Sequence, residues 1–373
     1  MPVRALRAFV RREPVLSASL LCALISMFFV PPSAAYAEYI DTHVLILLFC
    51  LMAVVSGMQK YGVFDLLAQK MLTGRHALRT LVLILTLLPF FTSMAITNDV
   101  ALITFVPFAI LVLGLVGQSA LLIPVIVLQT VAANLGSMVT PVGNPQNLFL
   151  YASYNLSAGS FFGLVAPYAL VSLIGVAALA LCRKSCTLQV EFSEQKRITS
   201  PKRVVLFALL FALCLLTVFH VLSDWLLLLI LCLALAIFDR DLFRRADYGL
   251  LLTFVCFFIF AGNIGALDSI HTWLRNVVGH SPLLASLAAS QVISNVPAAV
   301  LLRGFTENWQ ALLLGVNIGG LGTPIASLAS LISFRFYAHT PDAKPGRYLA
   351  WFTLINVAGL ILLTALAAFS GYV

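Results

Sequence analysis

The sequence predicts an all-α polytopic membrane protein built from two inverted repeats, with two re-entrant hairpins and two broken transmembrane helices. Three observations carry that prediction. The 373 residues are 61% hydrophobic and only 10% charged, against roughly 25% charged in a soluble globular chain; apolar runs near the ~20 residues that span a bilayer recur along the whole length. Of the 22 Lys and Arg, 20 fall on one side of an alternating topology, the bias that orients membrane proteins. Short polar motifs of the first half recur in the same order in the second, the mark of an internal repeat. This composition excludes soluble enzymes and nucleic-acid binders, and the formal net charge of +8 reports topology rather than a nucleic-acid partner.

Nine stretches suit spanning: about 15–33, 42–58, 119–150, 160–182, 204–222, 225–238, 249–267, 309–334 and 348–370. Two more, about 80–116 and 281–302, are interrupted by polar residues and read as hairpins that enter and leave on one face. The first stretch, with a basic start and Ala35-Tyr36-Ala37 behind it, also fits a signal peptide with a small-residue cleavage site; retained as a helix, it keeps the repeats symmetric. With the N-terminus cytoplasmic, the cytoplasmic segments hold Arg4, Arg7, Arg11 and Arg12; Lys60, Lys70, Arg75 and Arg79; the basic loop of 183–203; Arg240, Arg244 and Arg245; and Arg335, Lys344 and Arg347. Only Arg275 and Arg303 fall outside. The seven cysteines lie almost all in apolar segments, where a thiol is a small hydrophobe, and Cys182/Cys186 has no second pair to complete a tetrahedral metal site. The histidines lie at segment ends without ligand spacing.

The repeat aligns Gly62-Val63-Phe64-Asp65 with Gly265-Ala266-Leu267-Asp268, Thr97-Asn98 with Ser294-Asn295, Asn134-Leu135-Gly136 with Asn317-Ile318-Gly319, and Thr140-Pro141 with Thr323-Pro324. Residues 1–182 form the first unit, 183–224 a cytoplasmic basic loop and linking helix, and 225–373 the second unit. The linking helix turns one unit over relative to the other, a construction typical of secondary transporters.

The polar residues within the apolar segments sit where the repeats match. Residues 134–147 place Gly136, Pro141, Gly143 and Pro145 in one membrane-depth run, which a continuous helix does not tolerate. Residues 317–324, with Gly319, Gly320 and Pro324, break the partner run in the same way. Unwound backbone at that depth is tolerated only where it is buried or lines a cavity, and half-helix ends present partial charges to an ion or substrate; Pro-kinked packing helices are the plainer alternative. The hairpin tips, Thr97-Asn98-Asp99 and Ser294-Asn295, are expected at the midplane with amide and hydroxyl groups able to coordinate a cation or hydrogen-bond an oxyanion. The expected binding set is therefore Thr97, Asn98, Asp99, Asn134, Gly136, Thr140, Pro141, Gly143, Asn144, Ser294, Asn295, Asn317, Gly319, Gly320, Thr323 and Pro324, with any Na+ near Asn98 and Asn295. Asp99 is the only charged side chain between Arg79 and Arg183. A carboxylate at that depth is a functional candidate by default, and a helix cap is its structural alternative.

At Thr97-Asn98-Asp99-Val100-Ala101-Leu102, Thr140-Pro141-Val142-Gly143-Asn144-Pro145-Gln146-Asn147 and Ser290-Gln291-Val292-Ile293-Ser294-Asn295-Val296-Pro297, the chain resembles the ion transporter superfamily. The branches it resembles are the ArsB/NhaD and citrate-transporter-like ones, in particular YbiR-type bacterial inner-membrane proteins. The resemblance implies a scaffold with a mobile transport domain, elevator-type alternating access and a homodimer in the bacterial inner membrane. The dicarboxylate branch carries Ser-Asn-Thr at both tips; here the third positions are Asp99 and Val296, and the Asn-Asp pair resembles the arsenite branch. The expected function is secondary transport of a small anion, an inorganic oxyanion or organic acid, coupled to H+ or Na+. A Na+/H+ antiporter of the NhaD kind is the alternative. No cofactor is expected, and an intramembrane hydrolase is disfavoured because Ser93, Ser137 and Ser294 have no membrane-depth His or Lys as general base.

Overall fold

A computed structural model describes Val10 and residues 13–182, 186–192 and 194–372. Arg4, Arg7, Arg11, Arg12, Arg183 and Lys184, used in the charge argument, lie outside the described residues. Among those described, 18 α-helices form the molecule. Before the first matched motif come α1 (Pro14–Phe29) and α2 (Ala35–Tyr39). The first unit then runs α3 (Thr42–Lys60), α4 (Val63–Leu72), α5 (Leu78–Ile96), α6 (Asn98–Leu115), α7 (Leu122–Ser137), α8 (Pro145–Ser153) and α9 (Ala158–Leu181). The linking helix α10 (Pro201–Val218) follows, and then α11 (Asp224–Phe238), which stands before the matched series of the second unit as α1 and α2 stand before that of the first. The second unit repeats the series as α12 (Tyr248–Gly265), α13 (Asp268–His280), α14 (Pro282–Ile293), α15 (Asn295–Leu302), α16 (Trp309–Ile318), α17 (Leu328–Ala338) and α18 (Pro345–Phe369).

The helix boundaries follow from local chemistry. Asp41 and Asp247 accept from the Val44 and Leu250 amides and so cap α3 and α12, the matched first helices. Ser157, Ser281 and Asn308 cap α9, α14 and α16 in the same manner. Gly62 precedes α4 with φ +80°, a left-handed conformation that glycine adopts without a Cβ penalty. The matched Asp65 and Asp268 occupy the first turns of α4 and α13 and complement the positive end of each helix.

Among the described residues eight helices are long and apolar enough to cross a membrane, and both arms of the first hairpin, α5 and α6, are among them. The arms of the second hairpin, α14 and α15, have only 12 and 8 residues. The repeats therefore match in order and in their breaks, while the first hairpin has the longer arms. The run 119–150 divides into α7 and α8 across residues 138–144, and the run 309–334 divides into α16 and α17 across 319–327.

Contacts separate the loops into two ends. At one end Lys60 reaches Asp239 at 2.8 Å and Asp241 at 3.2 Å, Tyr61 donates to Asp239 at 2.6 Å, and the Thr199 amide donates to the Tyr61 carbonyl. Burial alone would raise the Asp239 carboxyl, but the Lys60 and Tyr61 hydrogen bonds outweigh it and hold that group below its ordinary range. At the other end His43 meets Asp224 at 3.2 Å, and Arg303 donates to the Ser153 carbonyl at 3.1 Å while stacking over Tyr154. Helix α3 runs from the His43 end to the Lys60 end. Its counterpart α12 starts beside Arg245, so the matched helices are antiparallel and the repeats inverted.

The segment between the units is more ordered than a simple linker. Strands β1 (Gly74–Ala77) and β2 (Thr187–Val190) pair antiparallel, with Gly74 opposite Val190. Gln69 on α4 donates to the Glu194 carbonyl and accepts from the Lys196 amide.

Candidate functional site

Thr97 and Ser294 hold the same backbone conformation, φ 68° and ψ 151° against φ 73° and ψ 156°. That region is essentially reserved for glycine, yet both repeats place a hydroxyl residue there. Each tip is then fixed to the break of its own unit by matched bonds. The Asn98 amide donates to the Gly143 carbonyl at 3.2 Å, and the Asn295 amide to the Ala326 carbonyl at 3.0 Å. Thr140 donates its hydroxyl to the Met94 carbonyl, and Thr323 donates to the Gln291 carbonyl at 3.1 Å. The two threonines thus tie the hairpins down one turn before their tips.

The glycines at the breaks permit close approach. A Cβ on Gly136 would overlap the Phe90 carbonyl of α5, and one on Gly143 the Ser137 carbonyl; one on Gly319 would lie 2.8 Å from the Ser290 Cβ of α14. Gly320 faces the site itself, where a Cβ would stand 3.0 Å from Asn295 Nδ2. Pro141 is buried within the first break and Pro324 is half-buried in the second; each excludes a helical hydrogen bond there.

Across the repeats, side chains are exchanged. Asn144, the N-cap of α8, donates to Asn317 Oδ1 at 3.2 Å, and Ser327, at the equivalent position before α17, donates to Asn134 Oδ1 at 3.1 Å. Asn134 also accepts from Asn98 at 2.9 Å, and its own Nδ2 is buried without an acceptor. Asn317 is fully committed, donating to Asn147 Oδ1 at 2.7 Å and to the Leu313 carbonyl. Asn295 is less so. Its Oδ1 receives only a 3.5 Å contact from Ser294.

Between the tips lies a void of about 20 Å³ lined by Asn98, Asp99, Pro145, Gln146, Ser294, Asn295, Val296 and Ser327, with Leu250 and Leu328. Except for Leu250, these residues belong to the N-terminal ends of α6, α8, α15 and α17. Four helix N-termini, two from each repeat, therefore converge on a space with room for about one water, and each brings partial positive charge and backbone donors. A second cavity of about 410 Å³ adjoins the void through Asp99, Pro145, Leu250 and Leu328. It lies between α1, α3 and α12 on one side and the first hairpin, α8 and α17 on the other, and it extends to Glu13, Arg245, Asp247 and Arg335.

Of the expected residues, Asn98, Asp99, Ser294 and Asn295 line the void, while Thr97 and Asn144 line the larger cavity. Asn134 and Gly320 lie directly behind them; Gly136, Thr140, Pro141, Gly143, Asn317, Gly319, Thr323 and Pro324 shape and brace the breaks. Sequence reasoning passed over two bracing amides and four charges. Asn147 donates to the Met138 and Thr140 carbonyls, and Gln291 donates to the Gly319 and Leu321 carbonyls at 2.7 and 2.9 Å. An amide in an apolar run beside each motif was the available signal. Glu13, Arg245, Asp247 and Arg335 sit at segment ends, where sequence shows only topology-setting charge.

The pattern of the citrate transporter family matches residues 6–308. The chain is 32% identical over 324 residues to the uncharacterized transporter MJ0456 of Methanocaldococcus jannaschii, covering 86% of this chain and 87% of that protein. It is 32% identical over 318 residues to the inner membrane protein YbiR of Escherichia coli, 83% of each. The uncharacterized transporter Rv2685 of Mycobacterium tuberculosis is 23% identical over 334 residues, 79% of this chain and 78% of the relative.

Proposed function

The chain belongs to the citrate transporter family, and from that premise we propose that this multi-pass membrane transporter is a secondary active carrier of a small anion, coupled to H+ or Na+. The observation that carries the reading is the convergence of four helix N-termini from both repeats on one void. Preorganised backbone donors in a dry setting favour an anion without a fixed side-chain cation. Asp99, at the junction of void and cavity, is the coupling group. Its negative charge opposes anion entry until H+ or Na+ neutralises it, which links the two fluxes. Asn98 and Asn295 supply the amide groups next to a Na+.

The larger cavity supports elevator-type alternating access. It separates α1, α3 and α12, the scaffold, from the hairpin, α8 and α17, the moving part, and it opens toward the loops that carry most of the basic residues. Those loops face the cytoplasm of an inner membrane by the positive-inside bias, and a homodimer is the assembly that the family resemblance implies. A Na+/H+ antiporter is the second reading, favoured by Asp247 and Glu13 in the same cavity as Asp99. Currents from proteoliposomes challenged with a panel of oxyanions and carboxylates, with and without Na+ or a pH gradient, test the choice. Anion-dependent current supports the carrier; Na+ and H+ exchange in the absence of any anion substrate supports the antiporter.

A further inference from the structure

Helix α17 turns Leu328, Leu331, Ile332 and Arg335 toward the larger cavity, the spacing of one helical face. Arg335 thus stands roughly 10 Å along the helix from the central void, at about 1.5 Å per residue. The other charges near the cavity mouth are engaged. Arg245 pairs with Asp241 at 3.0 Å, Asp247 caps α12, and Glu13 has its own interaction. Among the described residues the Arg335 side chain has neither an ion-pair nor a hydrogen-bond partner, although it is exposed on the same cavity. The lining between it and the void is largely apolar, with Val55, Val100, Ile103, Leu328, Leu331 and Ile332, and carries the uncharged polar side chains of Ser56, Gln59 and Thr253 as well, before Asp99 at the void itself.

We propose that Arg335 recruits the substrate, and that the substrate is an organic acid with a single carboxylate and an apolar body. The inference rests on the anion-carrier reading above. A guanidinium fork matches a carboxylate in a bidentate manner, and one uncommitted guanidinium neutralises one such group. Apolar walls then suit a hydrocarbon body and penalise the second and third charges of a di- or tricarboxylate, or the hydration shell of phosphate.

The experiment uses the full chain in proteoliposomes with radiolabelled 4-methyl-2-oxopentanoate, with citrate and phosphate as competitors, assayed separately from each face. Wild type should take up the oxo acid in preference to both competitors. Arg335→Gln should raise KM about three- to ten-fold from the Arg335 face alone, leave the maximal rate near wild type and flatten the dependence of KM on ionic strength, as loss of a steering charge does. Arg335→Lys should recover most of the loss, which a topological role for the charge would not limit to one face. Unchanged KM in Arg335→Gln, or an equal rise from both faces, overturns the recruiting role. Preference for citrate or phosphate overturns the substrate class. Failure of wild type to move any anion overturns the carrier reading itself.

Discussion

Replacing Thr97 by glycine should stabilise the protein although it removes a side chain from the centre of the fold. Thr97 stands at φ 68° and ψ 151°, where a β-branched side chain collides with its own backbone, and such a residue stores about 1–3 kcal/mol. Glycine relieves that strain but adds roughly 0.5–1 kcal/mol of disorder to the unfolded chain, so the net gain is about 0.5–2 kcal/mol. For a chain of this length each kcal/mol moves Tm by about 1–2 °C, extrapolating from smaller domains, and Thr97→Gly should raise Tm by roughly 0.5–4 °C. Cys50, Cys214 and Cys256 are buried while Cys182 and Cys186 are exposed, so in a background with Cys182→Ser and Cys186→Ser a thiol-reactive fluorophore reports unfolding in detergent. Thr97→Ala is the decisive comparison, because it removes the hydroxyl and keeps the Cβ. If alanine stabilises as much as glycine, or glycine destabilises, backbone strain at the tip is refuted. Ser294→Gly against Ser294→Ala should show the same ordering.

Four further outcomes are expected. Asn98→Ala should abolish transport and cost about 0.5–1.5 kcal/mol, because Asn134 Oδ1 loses one of its two donors and keeps only Ser327, whereas Asn295→Ala should abolish transport with near wild-type Tm; transport by either variant would show that the site is not shared between the repeats. Asp99→Asn should retain substrate exchange but lose gradient-driven accumulation and its pH or Na+ dependence, and wild-type accumulation would leave Asp99 a structural role only. Gly136→Ala forces a Cβ against the Phe90 carbonyl and should lose about 1–3 kcal/mol or more through overpacking, while Gly175→Ala, inside α9 with open space around it, should gain about 0.5–1 kcal/mol by the same melting assay. Single cysteines placed in a Cys-free variant should be blocked from outside at 186–200 and 240–247 and labelled at 152–158 and 303–308; external labelling of position 195 would invert the topology.

The repeat made much of the centre legible. Asn98 and Asn295, Thr97 and Ser294, and the breaks at Gly136 and Gly319 were identifiable because each polar position occurs twice in an apolar background. What a polar side chain binds was less legible. The Thr140 and Thr323 hydroxyls are used on hairpin carbonyls, and Asn317 is held by Asn144 and Asn147 from the other repeat, a pairing that no local spacing displays. Arg335 and Asp247 share a cavity only because the units are inverted, which brings two loop-edge charges from distant segments together. The pairing of β1 with β2 was invisible for a related reason. Four-residue strands have too little pattern to be distinguished from polar loop.

The exchange of Asn144 with Asn317 and of Ser327 with Asn134 also sets a clock on biogenesis. When the first unit leaves the translocon, Asn134 and Asn144 are already made, but the partners each finds in the second unit, Ser327 and Asn317, are still unsynthesised. Until residues 317 and 327 are inserted, those amides have only their bonds within the first unit, to Asn98, Ser137 and Asn147, and the half-made protein presents an incompletely paired polar cluster to whatever surrounds it. Completion of the second unit completes that cluster in one step, so ribosome stalling or truncation before residue 317 should yield a rapidly degraded fragment rather than a stable half-transporter.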